Sequence, residues 1–147
     1  MNHKPFRVIQ IDHVEFFVPD QYEAAAWYQR TLGLEIVPDY EQWATDGPLM
    51  IGGQSGYTML ALFRGEPRGE RPTAGFHRVA FRVDGRGFLD FLTRLDHVQI
   101  DSREGRRLTP EQVVDHELSW SIYFKDPYGH LLEVTTYDYD QVAVNLK

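Results

Sequence analysis

Several side chains able to do chemistry recur at strand spacing in this 147-residue chain. Glu15 follows His13 by two residues, so on an extended strand the carboxylate and the imidazole share a face. Such a carboxylate can act as a base, or it can be a solvated group at a sheet edge. Ser119, Ser121 and Tyr123 alternate with Trp120, Ile122 and Phe124. The second set has core character, which leaves the hydroxyl-bearing set to line a cavity. Arg78, Ala80 and Arg82 alternate in the same way with Val79, Phe81 and Val83. An arginine on an inner face cannot ligate a metal, because the guanidinium stays protonated, but it can fork onto a carboxylate or phosphate. His116 stands in a polar stretch ahead of Tyr123. An imidazole with its ordinary pKa of about 6.5 suits proton transfer, and the alternative reading is an exposed loop histidine. His97 and His130 read as structural or exposed, and His3 as part of a loose terminus. There is no cysteine, so any metal would rest on histidine and carboxylate alone.

The elements that must hold these groups repeat. Residues 8–18 are β-branched and aromatic and read as a strand ended by Pro19. Asp20 caps a helix whose apolar stripe is Ala24, Trp27, Tyr28 and Leu32, and Gly33 stops it. Three shorter strands follow, in residues 34–37, part of 42–51, and 57–63, separated by turn residues. The order then recurs: a strand at 78–83, a helix with Phe88, Phe91, Leu92 and Leu95 on one face, and strands at 98–100, 118–124 and 131–137. Residues 101–117 read as a long polar loop, and 126–129 as a turn. The expectation is an α+β fold in a single domain of two βαβββ repeats, each a curved mixed sheet with a helix on its outer face, enclosing a cavity. The repeats run from about 8 to 64 and from about 76 to 140, joined by a Pro-, Gly- and charge-rich linker at 65–75.

A hydrophobic share of 42% over this length supports a core that needs no staples. The net charge of −7 argues against a nucleic-acid binder working by phosphate neutralisation. That sum hides an asymmetry. Ten of the twelve arginines lie between Arg64 and Arg107 among only seven acids, so that segment carries +3 and the remainder −10. Either these arginines are a solvated surface, or some point into an anion-binding cavity. No apolar run is long enough for a membrane span and the N-terminus lacks a signal-like stretch, which points to a cytoplasmic protein.

The chain resembles the vicinal-oxygen-chelate superfamily, which includes glyoxalase I, fosfomycin-resistance transferases, methylmalonyl-CoA epimerase, bleomycin-sequestering proteins and extradiol dioxygenases. The resemblance spans about residues 8–140. It is carried by DHVEFFVPD and WYQRTLGLE in the first half, and by RVAFRVD and SIYFKDPYGHLLEVTTYD in the second. His116, Ile122, Tyr123, Asp126, Pro127, Gly129 and Glu133 match the extradiol dioxygenase signature, most of which recurs in other superfamily members.

By this resemblance, His13 and Glu133 occupy metal-ligand positions, Ala61 fills a third without a donor, and His77 would complete a 2-His-1-carboxylate set. Strand parity disagrees, placing Arg78 rather than His77 opposite His13 unless a bulge near Gly75 intervenes. The resemblance makes Glu133, His116 and Tyr123 the catalytic candidates, with Arg78, Arg82 and Ser121 binding substrate. It implies a metal-dependent small-molecule enzyme, most like the dioxygenases in its C-terminal motif. The alternatives are a glyoxalase-type lyase or isomerase, and a metal-free sequestering protein of the bleomycin-resistance type. The metal would be Fe2+ or Mn2+ for a dioxygenase and Zn2+ or Ni2+ for a glyoxalase-like enzyme, with none if Arg78 replaces His77. The expected partners are a small aromatic or anionic substrate and a second copy in a homodimer, with no nucleic acid and no membrane.

Overall fold

The computed structural model describes residues 6, 9–66 and 77–146 and resolves the chain into two compact units, Met1–Glu70 and Arg71–Lys147. In the first unit β1 (His13–Val18) leads to α1 (Gln21–Leu32), then β2 (Glu35–Ile36), β3 (Leu49–Gly52) and β4 (Met59–Arg64). The sheet order is β1-β4-β3-β2, with β1 and β4 parallel and the other pairs antiparallel.

Asp20 caps α1 by accepting the Glu23 N–H, and Gly33 ends the helix at φ 72°, a left-handed conformation that glycine adopts without a Cβ penalty. Ala24, Trp27 and Tyr28 are buried on the helix, and Phe16, Val18, Leu60 and Leu62 are buried on the strands. A buried Gln21 ties the unit together, its amide donating to the carbonyls of Gly47 and Leu62, each at 2.7 Å.

The second unit repeats the plan with additions. β5 (Val79–Arg82) leads to α2 (Gly85–Arg94), then β6 (Asp101–Ser102), β7 (Val114–Asp115), β8 (Trp120–Lys125), β9 (Leu131–Thr136) and α3 (Tyr139–Asn145). The sheet order is β5-β9-β8-β6, with β5 parallel to β9 and β7 also paired to β8. Asp84 caps α2 by accepting the Gly87 N–H. Phe88, Phe91, Leu92 and Leu95 are buried with Ile122, Phe124, Leu132 and Val134, and the rings of Phe91 and Phe124 lie 5.4 Å apart.

The two βαβββ modules and the α+β class are as the sequence pattern implies. Several boundaries differ. The first strand begins at His13, not at residue 8; residues 9–12 are outside it, and Val8 lies outside the described residues, as does most of the 65–75 linker. Pro38–Thr45 forms a 3-10 helix where the pattern allowed a strand from 42, because Pro38 presets the first helical φ. Residues 98–100 are not a strand, which comes instead at Asp101–Ser102. The 101–117 stretch is not one loop. It holds β6, a short 3-10 turn Pro110–Gln112 and β7, pieces too short for hydrophobic periodicity to register. Helix α3 has no counterpart in the sequence reading. It is braced by stacking of Trp120 on Tyr139 and by the Trp120 indole N–H donating to the Tyr139 carbonyl.

Candidate functional site

In the first unit, parallel pairing places His13 beside Met59 and Glu15 beside Ala61. His13 is gripped on both sides. Its Nδ1 lies 2.8 Å from Asp12 and its Nε2 3.1 Å from Glu15. The Asp12 hydrogen bond, with help from Glu15, raises the imidazole pKa above its ordinary value against the opposing effect of burial. This imidazole therefore keeps its proton to a higher pH than a free one would. Nearby, a cleft of about 370 Å³ is lined by Asp12, Glu35, Asp39, Tyr40, Tyr57 and Met59, among others, all within this unit.

The second unit carries a different set. Antiparallel pairing puts Tyr123 directly beside Glu133, and parallel pairing puts Ala80 on the other side of Glu133. One face thus presents Arg78 from just ahead of β5, Ala80 and Arg82 from β5, Glu133 and Thr135 from β9, and Ser121 and Tyr123 from β8. The opposite face, with Ile122, Phe124, Leu132 and Val134, is buried core.

The polar face is wired by short contacts. The Ser121 hydroxyl donates to Glu133 Oε2 at 2.7 Å. The Thr135 hydroxyl, 3.0 Å from Ser121, donates to the Trp120 carbonyl. The Tyr123 hydroxyl lies 2.8 Å from Nε2 of His116, which is exposed. Two guanidiniums sit over the Tyr123 ring, Arg78 at 4.5 Å and Arg103 at 4.7 Å from its centroid, and Arg82 lies over Tyr137 at 5.2 Å. The buried Nε of Arg78 has no hydrogen-bond acceptor among the described residues.

Two local devices hold this face. Asp126 is buried and organises the turn between β8 and β9. Its Oδ1 accepts the N–H groups of Tyr128 and His130, and its Oδ2 lies 2.6 Å from the His130 ring. Gly129 completes the turn at φ 96°. That hairpin sets the register that brings Tyr123 to Glu133. On the other side, His116 closes the turn between β7 and β8 by donating its N–H to Ser119. Within that turn Glu117 holds φ 71°, a region a non-glycine residue enters at a cost of roughly 1–3 kcal/mol.

The pairing registers also relate the two units. Ala61 partners Glu15 in the first as Glu133 partners Ala80 in the second, so Arg78 corresponds to His13. Counting back from the helix caps would align His77 instead, because the first unit has one extra residue, Pro19, between strand and cap. His77 is exposed, whereas Arg78, directly ahead of β5, is half-buried. Arg103 was not picked out among the sequence candidates. It sits in the polar stretch whose length was the only signal that the stretch covers something.

Residues 10–134 match the family model of the Glyoxalase/Bleomycin resistance protein/Dioxygenase superfamily. The chain belongs to that superfamily. It is 30% identical over 133 residues to metallothiol transferase FosB of Shouchella clausii, across 86% of this chain and 79% of that protein. It is 27% identical over 137 residues to metallothiol transferase FosB of Staphylococcus epidermidis, across 88% and 82%. A solved structure of the fosfomycin resistance protein FosX from Listeria monocytogenes shares the fold with a TM-score of 0.63 at 16% identity, over 92% of this chain and 99% of that one. Among the described residues, no helix is long and apolar enough to cross a membrane.

Proposed function

We propose that this chain is an enzyme that moves a proton on a small oxygen-bearing molecule at the polar face of its second unit. The observation that carries the reading is the 2.8 Å contact between Tyr123 and His116 on the sheet position next to Glu133. In the tautomer with Nε2 protonated, His116 donates to the Tyr123 oxygen and leaves the phenolic O–H free to donate to the substrate. Glu133 takes a proton from the carbon beside a carbonyl, the electron pair moves onto the carbonyl oxygen, and the Tyr123 hydroxyl stabilises that oxygen. Returning the proton to a different carbon gives an isomerisation, and loss of a neighbouring group gives a lyase reaction. His116 connects Tyr123 to bulk water and restores its proton. Ser121 holds Glu133 in place.

The metal implied by the superfamily was weighed against the donors on this face. Glu133 suits a divalent ion, but the position just ahead of β5 that shares its face is Arg78, which has no lone pair. Within the second unit's described residues, Glu133 is joined by no cluster of three ligating side chains. The residues on this face do not fit the ion, so no step is routed through one.

A second reading retains a divalent ion with His13, His77 and Glu133 as ligands, in the manner of an extradiol dioxygenase with iron or manganese or of a glyoxalase with zinc or nickel. The naming of two relatives as metallothiol transferases favours it. A homodimer belongs to either reading, and light scattering of the purified chain measures it.

The test is turnover on a panel covering thiol transfer, hemithioacetal isomerisation and oxygen uptake with catechols, run with chelator and with each metal. The first reading expects turnover in chelator that falls about 10²–10⁴-fold in Tyr123→Phe and Glu133→Gln. Full activity in Tyr123→Phe overturns it. Turnover only with metal, together with one bound equivalent lost in His13→Ala, transfers the assignment to the second reading.

A further inference from the structure

The inner side of β5 raises an electrostatic question that proton transfer does not answer. Arg78, just ahead of β5, and Arg82 lie four residues apart, about 13 Å along the chain direction, with only the methyl of Ala80 between them on that face. Neither is in an ion pair among the described residues, and Arg78 buries an Nε–H that has no acceptor. A buried donor left unpaired loses its hydration without recovering a hydrogen bond. The adjacent carboxylate, Glu133, already accepts Ser121. Arg103 adds a third guanidinium over the same tyrosine as Arg78. Arg103 is paired with Glu104 at 3.4 Å, so Arg78 is the guanidinium on this face whose buried donor waits for an anion that the described residues do not supply.

We propose that Arg78, at the sheet position where a metal ligand would be expected, takes over the ion's task by binding an oxyanion of the ligand directly. This deepens the proton-transfer reading by naming its substrate class: a small molecule carrying a carboxylate or phosphate group, bound without metal. The Tyr123 ring backs the guanidinium, leaving its N–H edge as the fork that two oxygens of such a group match. Arg103, paired with Glu104, packs over the same ring, and the small exposed Ala80 leaves room for the ligand beside Arg78. Binding of the anion gives the buried Nε–H its missing acceptor.

Titration calorimetry of the full chain in EDTA, with benzoate, oxalate and inorganic phosphate as separate probes, tests this. At least one probe binds at one per chain, and its affinity falls with added sodium chloride. Tight binding of benzoate or oxalate identifies a carboxylate ligand; preference for phosphate identifies a tetrahedral one. Arg78→Met weakens binding tenfold or more, and Arg78→Lys, which keeps the charge but not the fork, falls between. Arg86→Ala, on the exposed face of α2, leaves binding unchanged. Because the Nε–H is unpaired in the free protein, Arg78→Met melts no lower than the wild type, which separates ligand binding from a structural role.

The inference is overturned if no probe binds in EDTA, if binding appears only on adding zinc or manganese, or if Arg78→Met and Arg78→Lys both bind as the wild type does. None of these readouts requires turnover, so a failure here is distinct from the failure of proton transfer that Tyr123→Phe would reveal.

Discussion

The two units share one plan and one hydrophobic register, yet the first inward residue of their leading strands differs completely in chemistry. In the first unit that residue is His13, held between Asp12 and Glu15. In the second it is Arg78, stacked on Tyr123 with a donor left open. The residues facing the helices hardly differ in kind: Phe16 and Val18 in one, Phe81 and Val83 in the other. A helix-facing position must match a packed neighbour, so its size and polarity are constrained. An inward position answers only to the ligand, which frees it to move from imidazole to guanidinium. Alternation thus separates the part of the repeat that preserves the fold from the part that can change function.

The units also brace themselves differently, and that contrast can be broken. The largest effect is expected in the second unit. Asp126→Ala removes a buried carboxylate that answers two N–H groups and the His130 ring, so stability should fall by about 3 kcal/mol in denaturant unfolding. The same variant should impair anion binding, because the β8–β9 register would loosen. In the first unit, Gln21→Leu leaves the Gly47 and Leu62 carbonyls without their donor, and a loss of about 2 kcal/mol is expected with the second unit's face untouched. If Gln21→Leu instead disturbs the Tyr123 environment as much as Asp126→Ala does, the two units do not keep separate braces.

A smaller gain is expected at the turn that carries His116. Glu117→Gly relieves the positive φ and should raise stability by up to about 1 kcal/mol, seen as a higher melting temperature. The smallest effect concerns the His13 side of the comparison. The proton on His13 is favoured by Asp12 first and by Glu15, so NMR titration should give a pKa above 6.5, and Asp12→Asn should lower it. The folded state binds this proton more tightly than the unfolded chain. His13 therefore contributes stability that is fully present below pH of about 6.5 and lost as pH rises through the raised value. A His13 titration unchanged by Asp12→Asn would remove the asymmetry between the gripped imidazole and the open guanidinium.

Much of this was readable along the chain. Ile122 and Phe124 are apolar at strand spacing, and both are buried; Asp20 stands four residues before an apolar helical stripe and caps α1, while the Asp84 cap of α2 was seen only in the structure. These are local signals with a short reach. The 3-10 helix at Pro38–Thr45 and helix α3 escaped, because the first is too tight for helical periodicity and the second depends on Trp120, far away in the sequence. Arg103 escaped for a similar reason. Nothing near it marks a cation placed over a tyrosine twenty residues on.

By itself, then, the sequence determined the α+β repeat, the core faces, the cap of α1 and the set of groups able to do chemistry, since each follows from the pattern of neighbours one to four residues apart. The tertiary structure alone decided which residue stands beside which across the strands. Alternation left Arg78 and, through a bulge, His77 as counterparts of His13; hydrogen-bonded pairing selects Arg78, although spacing from the helix cap would align His77 because Pro19 adds a residue that no strand partner sees. A shift of one residue reverses the face of every side chain on a strand, so the pairing of Ala80 with Glu133 was needed to fix the parity that alternation suggested and to put Arg78, not His77, on the face of Glu133.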